Sequence, residues 1–213
     1  MTLAQLLDAA ARGVYPVPDG SVEVVPSPSG LADAVVAFTA HTLVAADVDP
    51  DAVAAQLPAG NLSAPMQPPF LNWLAEELRS EAGSLDVLLV AGRAGAPGFE
   101  LVESGEADHP RLRRARRYRS EVRVYEPAGG GGLVIVGRGL AGRHEVSIEV
   151  EPARQGDGLG RSLAQAARAL VPRGRPLFAQ VAPGNAASLR AFLAAGYRPV
   201  GAEVLFLKDQ PIG

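Results

Sequence analysis

Cysteine is missing altogether from these 213 residues. That absence excludes disulfide frameworks, thiolate zinc sites, iron–sulfur clusters and cysteine nucleophiles together. Histidine is almost as scarce: His41, His109 and His144 stand far apart, in no HxxxH spacing, so no metal site is expected. Lysine occurs once, as Lys208, against nineteen arginines, and alanine is abundant; this bias reads as a GC-rich, bacterial genome rather than as a function. No run of 18 apolar residues occurs, and the opening MTLAQLLDAAARG has no positively charged leader segment, so a soluble, cytoplasmic protein without membrane contact is expected. A net charge of −3 from 20 basic and 23 acidic residues is too small to steer the whole molecule toward nucleic acid. What is plentiful is apolar side chain, 47% of the total, together with 24 Gly and 18 Pro. That is core enough for a single domain spanning 1–213, loop-rich but short of a disordered composition. Any chemistry has to run on oxygen groups, backbone and a borrowed cofactor.

Leu3, Leu6, Leu7 and Ala10 recur at helical spacing, which predicts a helix over 3–12 within an N-terminal extension, 1–18. Val22, Val24 and Val25 predict a short strand, and the apolar stretch from Leu31 to Val44 reads as a helix capped by Ser29 or Asp33. Five prolines break residues 47–69 around one helical turn at 52–57. Phe70, Leu71, Leu74 and Leu78 form the buried stripe of a helix over 70–81, beside which Trp73 reads as core. The continuous apolar run at 85–92 has the pattern of a fully buried strand. Residues 93–118 are a polar excursion of weak structure with a short strand at 99–102. It runs into the arginine row Arg111, Arg113, Arg114, Arg116, Arg117 and Arg119, which reads as a solvated face. From 121 the alternation sharpens into a meander of three antiparallel strands, 121–127, 133–139 and 144–151, the first two joined by the glycine turn at 129–132. A helix over 158–171, a strand at 177–181, a helix over 186–195 and a strand at 203–208 complete the chain.

Between the third meander strand and the next helix lies VEPARQGDGLGR, residues 150–161. Unpaired backbone N–H groups at such a junction converge on one point and the helix dipole adds to them, so the turn can bind a phosphate or pyrophosphate. Gly156, Gly158 and Gly160 let an anion approach the backbone, and Arg154 and Arg161 add positive charge. The segment is not a Rossmann turn, because Arg161 stands where GxGxxG needs its third glycine. It is not a Walker loop either, because no GK[ST] follows.

The residues Gln155-Gly156-Asp157-Gly158-Leu159-Gly160 resemble the (Q/R)xxGx(G/A) pyrophosphate loop of the GNAT superfamily of acyl-CoA-dependent N-acyltransferases. Ile148 to Pro152 resembles the strand leading into that loop. Asn185 to Leu189, followed by Gly196-Tyr197, resembles the second signature of the family, an Asn-initiated helix ending in Gly and an aromatic residue. The resemblance covers roughly 118–208, the acyl-CoA-binding core, and is loose over the first hundred residues, with an insertion between 82 and 118. It implies an α/β (α+β) fold with a central mixed, mostly antiparallel sheet flanked by helices, splayed between the strands at 144–151 and 177–181. It also implies acetyl-CoA (coenzyme A) as donor. Backbone groups around Val150 would bind the pantetheine arm, the loop Gln155, Gly156, Asp157, Gly158, Leu159, Gly160 and Arg161 would grip the pyrophosphate, and Asn185 and Phe192 would contribute from the following helix. A neutral primary amine would attack the thioester directly in a ternary complex, with the Val150 N–H stabilising the oxyanion.

Where the family often carries a tyrosine to protonate the leaving thiolate, this chain has Phe192. Tyr197 falls at a position usually filled by a core aromatic, so water or the ammonium product would supply that proton. For the base, His144 lies on the strand before the loop and an imidazole titrating near ~6.5 suits amine deprotonation; an exposed strand-start residue is the equal alternative. Glu145 and Glu149, on the opposite face, could bind a cationic amine or relay its proton through water. Asn185 could also serve as a helix cap, a role compatible with cofactor contact. Two rival readings stand beside the N-acetyltransferase: an acyl-CoA-binding sensor or regulator whose catalysis is impaired, which Phe192 would allow, and a nucleic-acid binder using the arginine row. The acceptor stays open among small molecule, polyamine, antibiotic and protein terminus, as does the oligomeric state, a homodimer included.

Overall fold

The computed structural model of the chain describes residues 1–28, 30–95, 98–105 and 109–208. Its contacts gather into two units, one made of 1–87, 140–142 and the residues from 200 on, the other of 88–139 and 143–199.

The first unit opens with α1 (Leu3–Ala11), closed at its N-terminus by a capping box. Thr2 Oγ1 accepts from the Gln5 N–H, and the Gln5 side chain accepts from the Thr2 N–H at 2.9 Å. Strands β1 (Val22–Val25), β2 (Ala32–Phe38), β3 (His41–Ala45) and β10 (Arg198–Leu207) stand in the order β1-β3-β2-β10. β1 is parallel to β3, and β2 is antiparallel to β3 and to β10. The helix expected over 31–44 is therefore a β-hairpin. Its β-branched Val35, Val36, Thr42 and Val44 favour extended backbone. Both of its strands are buried along almost their whole length, so the alternation that marks a half-exposed strand never appears. Ala40 makes the reversal at a φ of 47°. Asp33 is a strand residue, 3.2 Å from the Lys208 ammonium, and Ser29 lies outside the described residues. α2 (Pro50–Ala55) and α3 (Pro68–Glu77) both begin with proline, whose missing N–H costs nothing there. Val53, Phe70 and Leu74 from these helices meet Val35, Val44, Val204 and Phe206 in one core, with Trp73 resting against it.

The second unit holds β4 (Asp86–Ala91), β5 (Leu101–Ser104), β6 (Ser120–Pro127), β7 (Gly132–Arg138), β8 (His144–Val150) and β9 (Leu177–Val181), in the order β4-β9-β8-β7-β6-β5. The β5–β6, β6–β7 and β7–β8 pairs are antiparallel and β8–β9 is parallel, so the sheet is mixed and mostly antiparallel. α5 (Leu159–Ala167), with α6 (Ala186–Ala194) beside it, covers one face through the contact of Leu163 with Gly132. α4 (Pro110–Arg116) covers the other face, burying Leu112 and Ala115 against Val124, Leu133 and Ile135. That helix corrects the weak structure expected for 93–118. His109 Nδ1 caps it by accepting from the Arg111 N–H at 3.2 Å, and Pro110 occupies its first position. Seven residues are too few for a helix to declare itself by composition, and tertiary contact holds it in place. Among the described residues no helix is long and apolar enough to cross a membrane.

Candidate functional site

The site is built on β8. The ladder to β7 runs unbroken from His144↔Arg138 to Val150↔Gly132. Beyond its two ends, Gly139 N–H donates to Arg143 C=O and Glu151 N–H to Gly131 C=O, both at 2.9 Å. In an antiparallel ladder, residues alternate between bonding the partner and facing away. Residues 145, 147 and 149 therefore spend their backbone groups on β7, while His144, Val146, Ile148 and Val150 turn theirs toward β9. On that side the pairing is short. It consists of His144↔Leu177, Glu145↔Phe178 and Val146↔Ala179, although the two strands run on to Val150 and Val181. Beyond Val146 the strands part, and the N–H and C=O groups of Ile148 and Val150 face the gap between them without a ladder partner. This is the splay expected between 144–151 and 177–181.

The gap leads into the glycine loop. After one turn of 3-10 helix at Pro152–Arg154, the Gln155 side chain reaches back to Val150 C=O at 3.4 Å. Gly156 and Gly158 take φ values of 93° and 79°, the left-handed region where glycine is at home. A Cβ on either would meet nothing within 4 Å, so the backbone here is bare on its outer side. Gly158 is the N-cap of α5 and has no side chain to bond the helix N–H groups. Those of Leu159, Gly160 and Arg161, in the first turn, are left available. A Cβ on Gly160 would meet Val150 and Ala191 at ordinary contact distance, so this residue faces β8 and α6. Arg154 and Asp157 pair at 3.7 Å across the loop.

On α6, Asn185 Oδ1 accepts from the Ser188 N–H at 3.1 Å, so the cap role is present. Phe192 is buried edge-on against Tyr197, with ring centroids 4.9 Å apart, and Tyr197 donates its hydroxyl to Ala164 C=O at 3.2 Å. Burial pushes the Tyr197 phenol well above its usual range. Tyr197 is thus a core aromatic, and neither ring offers a proton to the gap.

The three candidate bases occupy different surroundings. His144 stands on the closed part of the ladder, and its Nε2 lies 3.2 Å from Arg138 Nη1. Burial first, then the charges of Arg138 and Arg175, hold its pKa below 6.5. Glu145 is fully buried, with Arg119 Nε and Arg143 Nε each donating to one carboxylate oxygen at 2.8 Å. Burial pushes that carboxyl up, but the two guanidinium groups pull it further down and keep it anionic. Glu149 alone of the three lies on the open part of β8. It accepts from Arg111 Nε and is 3.9 Å from His109 Nε2, so the end of α4 closes over it. The arginine row is accordingly not one solvated face. Arg119 is 3% exposed and Arg111 is tied to Glu149. Sequence reasoning placed Arg119 only in the solvated row and assigned no role to Ser147 or Gln180. The one local signal was Gly139, where a Cβ would overlap the Glu145 carboxylate.

A family model described as FR47-like protein matches residues 146–205. No curated protein matches the chain. Among solved structures, the chain is similar to an acetyltransferase of the GNAT family from Colwellia psychrerythraea, at 12% identity over 67% of this chain and 63% of that one, with a TM-score of 0.42. It is likewise similar to a GCN5-related N-acetyltransferase from Kribbella flavida, at 16% identity over 68% and 65%, TM-score 0.42. A GCN5-related N-acetyltransferase from Sphaerobacter thermophilus matches at 14% identity over 64% and 55%, TM-score 0.39. The chain spans less than two thirds of the length of these proteins. The FR47-like segment opens at Val146, the last residue of β8 still paired to β9, and takes in the gap, the loop, α5 and α6. That segment lies at the strand–loop–helix junction of a mixed, mostly antiparallel sheet flanked by helices.

Proposed function

We propose that the chain is an N-acetyltransferase that moves an acetyl group from acetyl-CoA to a primary amine by direct attack in a ternary complex. One observation carries the reading: the β8–β9 ladder stops at Val146↔Ala179, leaving the edge of Ile148 and Val150 open directly before a bare glycine loop and a helix N-terminus. An extended amide-bearing arm can add to such an edge in sheet fashion. The first-turn N–H groups of α5 then meet the pyrophosphate. Gly156 and Gly158 suit that approach because no side chain stands in front of them.

Acetyl-CoA supplies the activated thioester. The chain orients it, and in this reading the Val150 N–H donates to the oxygen that becomes negative as the amine attacks. Glu149 is the acceptor-side carboxylate, binding the incoming ammonium or taking its proton through water. Its place on the open part of β8 favours it over His144 and Glu145. With Phe192 and the Tyr197 hydroxyl both buried, the thiolate is protonated by water or by the ammonium product.

Calorimetric titration with acetyl-CoA tests the donor, and thiol release over a panel of amines tests the transfer. No binding at millimolar acetyl-CoA sinks the proposal. Binding without release for any amine makes the chain an acyl-CoA-binding module instead. Replacing the base with Glu149→Gln is expected to lower turnover about a hundredfold, the lower range for a lost general base, while leaving acetyl-CoA affinity intact.

A further inference from the structure

At the point where β8 and β9 part, the next residue on each strand is polar: Ser147 on β8 and Gln180 on β9. Continued pairing would set them side by side, through the backbone groups of Val146 and Ile148. Instead a single side chain spans them. Arg119 donates from Nη1 to Ser147 Oγ at 2.9 Å and from Nη2 to Gln180 Oε1 at 3.3 Å, while its Nε donates to Glu145 at 2.8 Å. Glu145 is fixed from its other side by Arg143, whose guanidinium lies over the Phe178 ring at 5.2 Å. All three charged groups are buried. Residue 139 is a glycine, so that the carboxylate has room.

An Arg–Glu–Arg triad of this kind is a costly way to stabilise a core. Apolar residues of similar volume do as well or better, because desolvating three charges offsets most of their attraction. What a guanidinium provides that apolar side chains cannot is a rigid planar set of donors at fixed angles. Here two of those donors end on the two strands on either side of the gap.

We propose that Arg119 is a positioning residue for acyl transfer: its guanidinium is the strut that sets the width of the opening between β8 and β9, replacing with side-chain hydrogen bonds the sheet bonds that end at Val146↔Ala179. Glu145 and Arg143 aim the strut, and Ser147 and Gln180 are its two footings. The proposal rests on reading that opening as the channel for the acyl-bearing arm of acetyl-CoA. Losing the strut lets the strands close up or spread, which misplaces the Val150 N–H relative to the thioester. The adenosine end, held at the loop, stays as it was.

The test compares two ligands on the intact chain. One is acetyl-CoA. The other is adenosine 3′,5′-bisphosphate, which lacks the pantetheine arm. Ser147→Ala and Gln180→Leu keep the buried ion triad and remove the footings, and Arg119→Lys keeps the charge but not the fork. Combining Ser147→Ala with Gln180→Leu is expected to weaken acetyl-CoA binding about tenfold, the scale of one lost hydrogen bond to a charged group. Adenosine bisphosphate affinity should stay at its wild-type value while the thermal midpoint falls by the few degrees that two unpaired guanidinium donors cost, and Arg119→Lys should show the same split between the two ligands. Unchanged acetyl-CoA affinity in the double variant overturns the strut, as does an equal loss for both ligands. If Arg119→Lys fails to fold, the footing variants decide alone. A wild-type chain that binds adenosine bisphosphate but not acetyl-CoA defeats the channel, and with it the strut. One that binds neither defeats the acetyltransferase reading itself.

Discussion

Gly139 lacks a side chain because the Glu145 carboxylate fills the space a Cβ would take. Gly139→Ala should push that carboxylate out from between Arg119 and Arg143 and leave buried charge unpaired. The expected loss is about 3–5 kcal/mol, the range for breaking a buried pair, read as a shift of the urea midpoint; a loss under about 1 kcal/mol would mean that the site relaxes around the methyl group. His144 offers a pH test. Its folded pKa lies below the ordinary 6.5, with burial the first cause and Arg138 the next. The unfolded chain therefore binds the proton more readily, so this part of the stability is complete above about pH 6.5 and is lost as pH falls through the folded value. Thermal melting from about pH 7.5 down to 5 should decline more gently in His144→Gln than in the wild type. Parallel declines would mean that His144 is as easily protonated folded as unfolded.

Among the elements, α5 and α6 carry separable roles at their first turns. Gly158→Val forces a β-branched residue into a left-handed conformation, costing roughly 1–2 kcal/mol, and sets a side chain over the bare loop. The chain should still fold, but acetyl-CoA affinity should disappear in calorimetry; retained affinity would show that the anion does not sit on this loop. At α6, Asn185→Ala removes a cap worth about 1 kcal/mol, while Asn185→Ser keeps a capping oxygen. Melting points should therefore rank wild type and Ser above Ala. A rise in the KM for acetyl-CoA that persists in Asn185→Ser would assign the cofactor contact to the amide itself. α4 is the element that composition hid, since its arginines look like a solvated run until Leu112 and Ala115 are seen buried beneath them.

Taken as a molecule, the chain keeps every residue assigned to acetyl-CoA, from Val150 through the loop to Asn185 and Phe192, in the second unit. Acetyl-CoA at a hundred times its Kd should stabilise the native state by about 2.7 kcal/mol. For a chain of this size that raises the melting point by roughly 5–10 °C. Hydrogen exchange should slow most at 147–161 and at the start of α6. Protection concentrated instead in β1–β3 would place the ligand elsewhere.

What the sequence determined by itself is what neighbouring residues settle among themselves. Gly156 and Gly158 turn the chain because only glycine enters the left-handed region freely, Asn185 caps because its oxygen reaches a backbone N–H three residues on, and alternation along 121–150 writes the meander. The hairpin at 32–45 escaped that reading because burial on both faces erases the alternation. Tertiary structure alone decided where the β8–β9 ladder ends, that Glu145 is sealed between Arg143 and an arginine 26 residues upstream, and that Glu149 is the carboxylate on the open edge. The reason is physical: a strand's pairing and a buried charge's partner depend on residues distant in the chain, and no local pattern records which of them arrive.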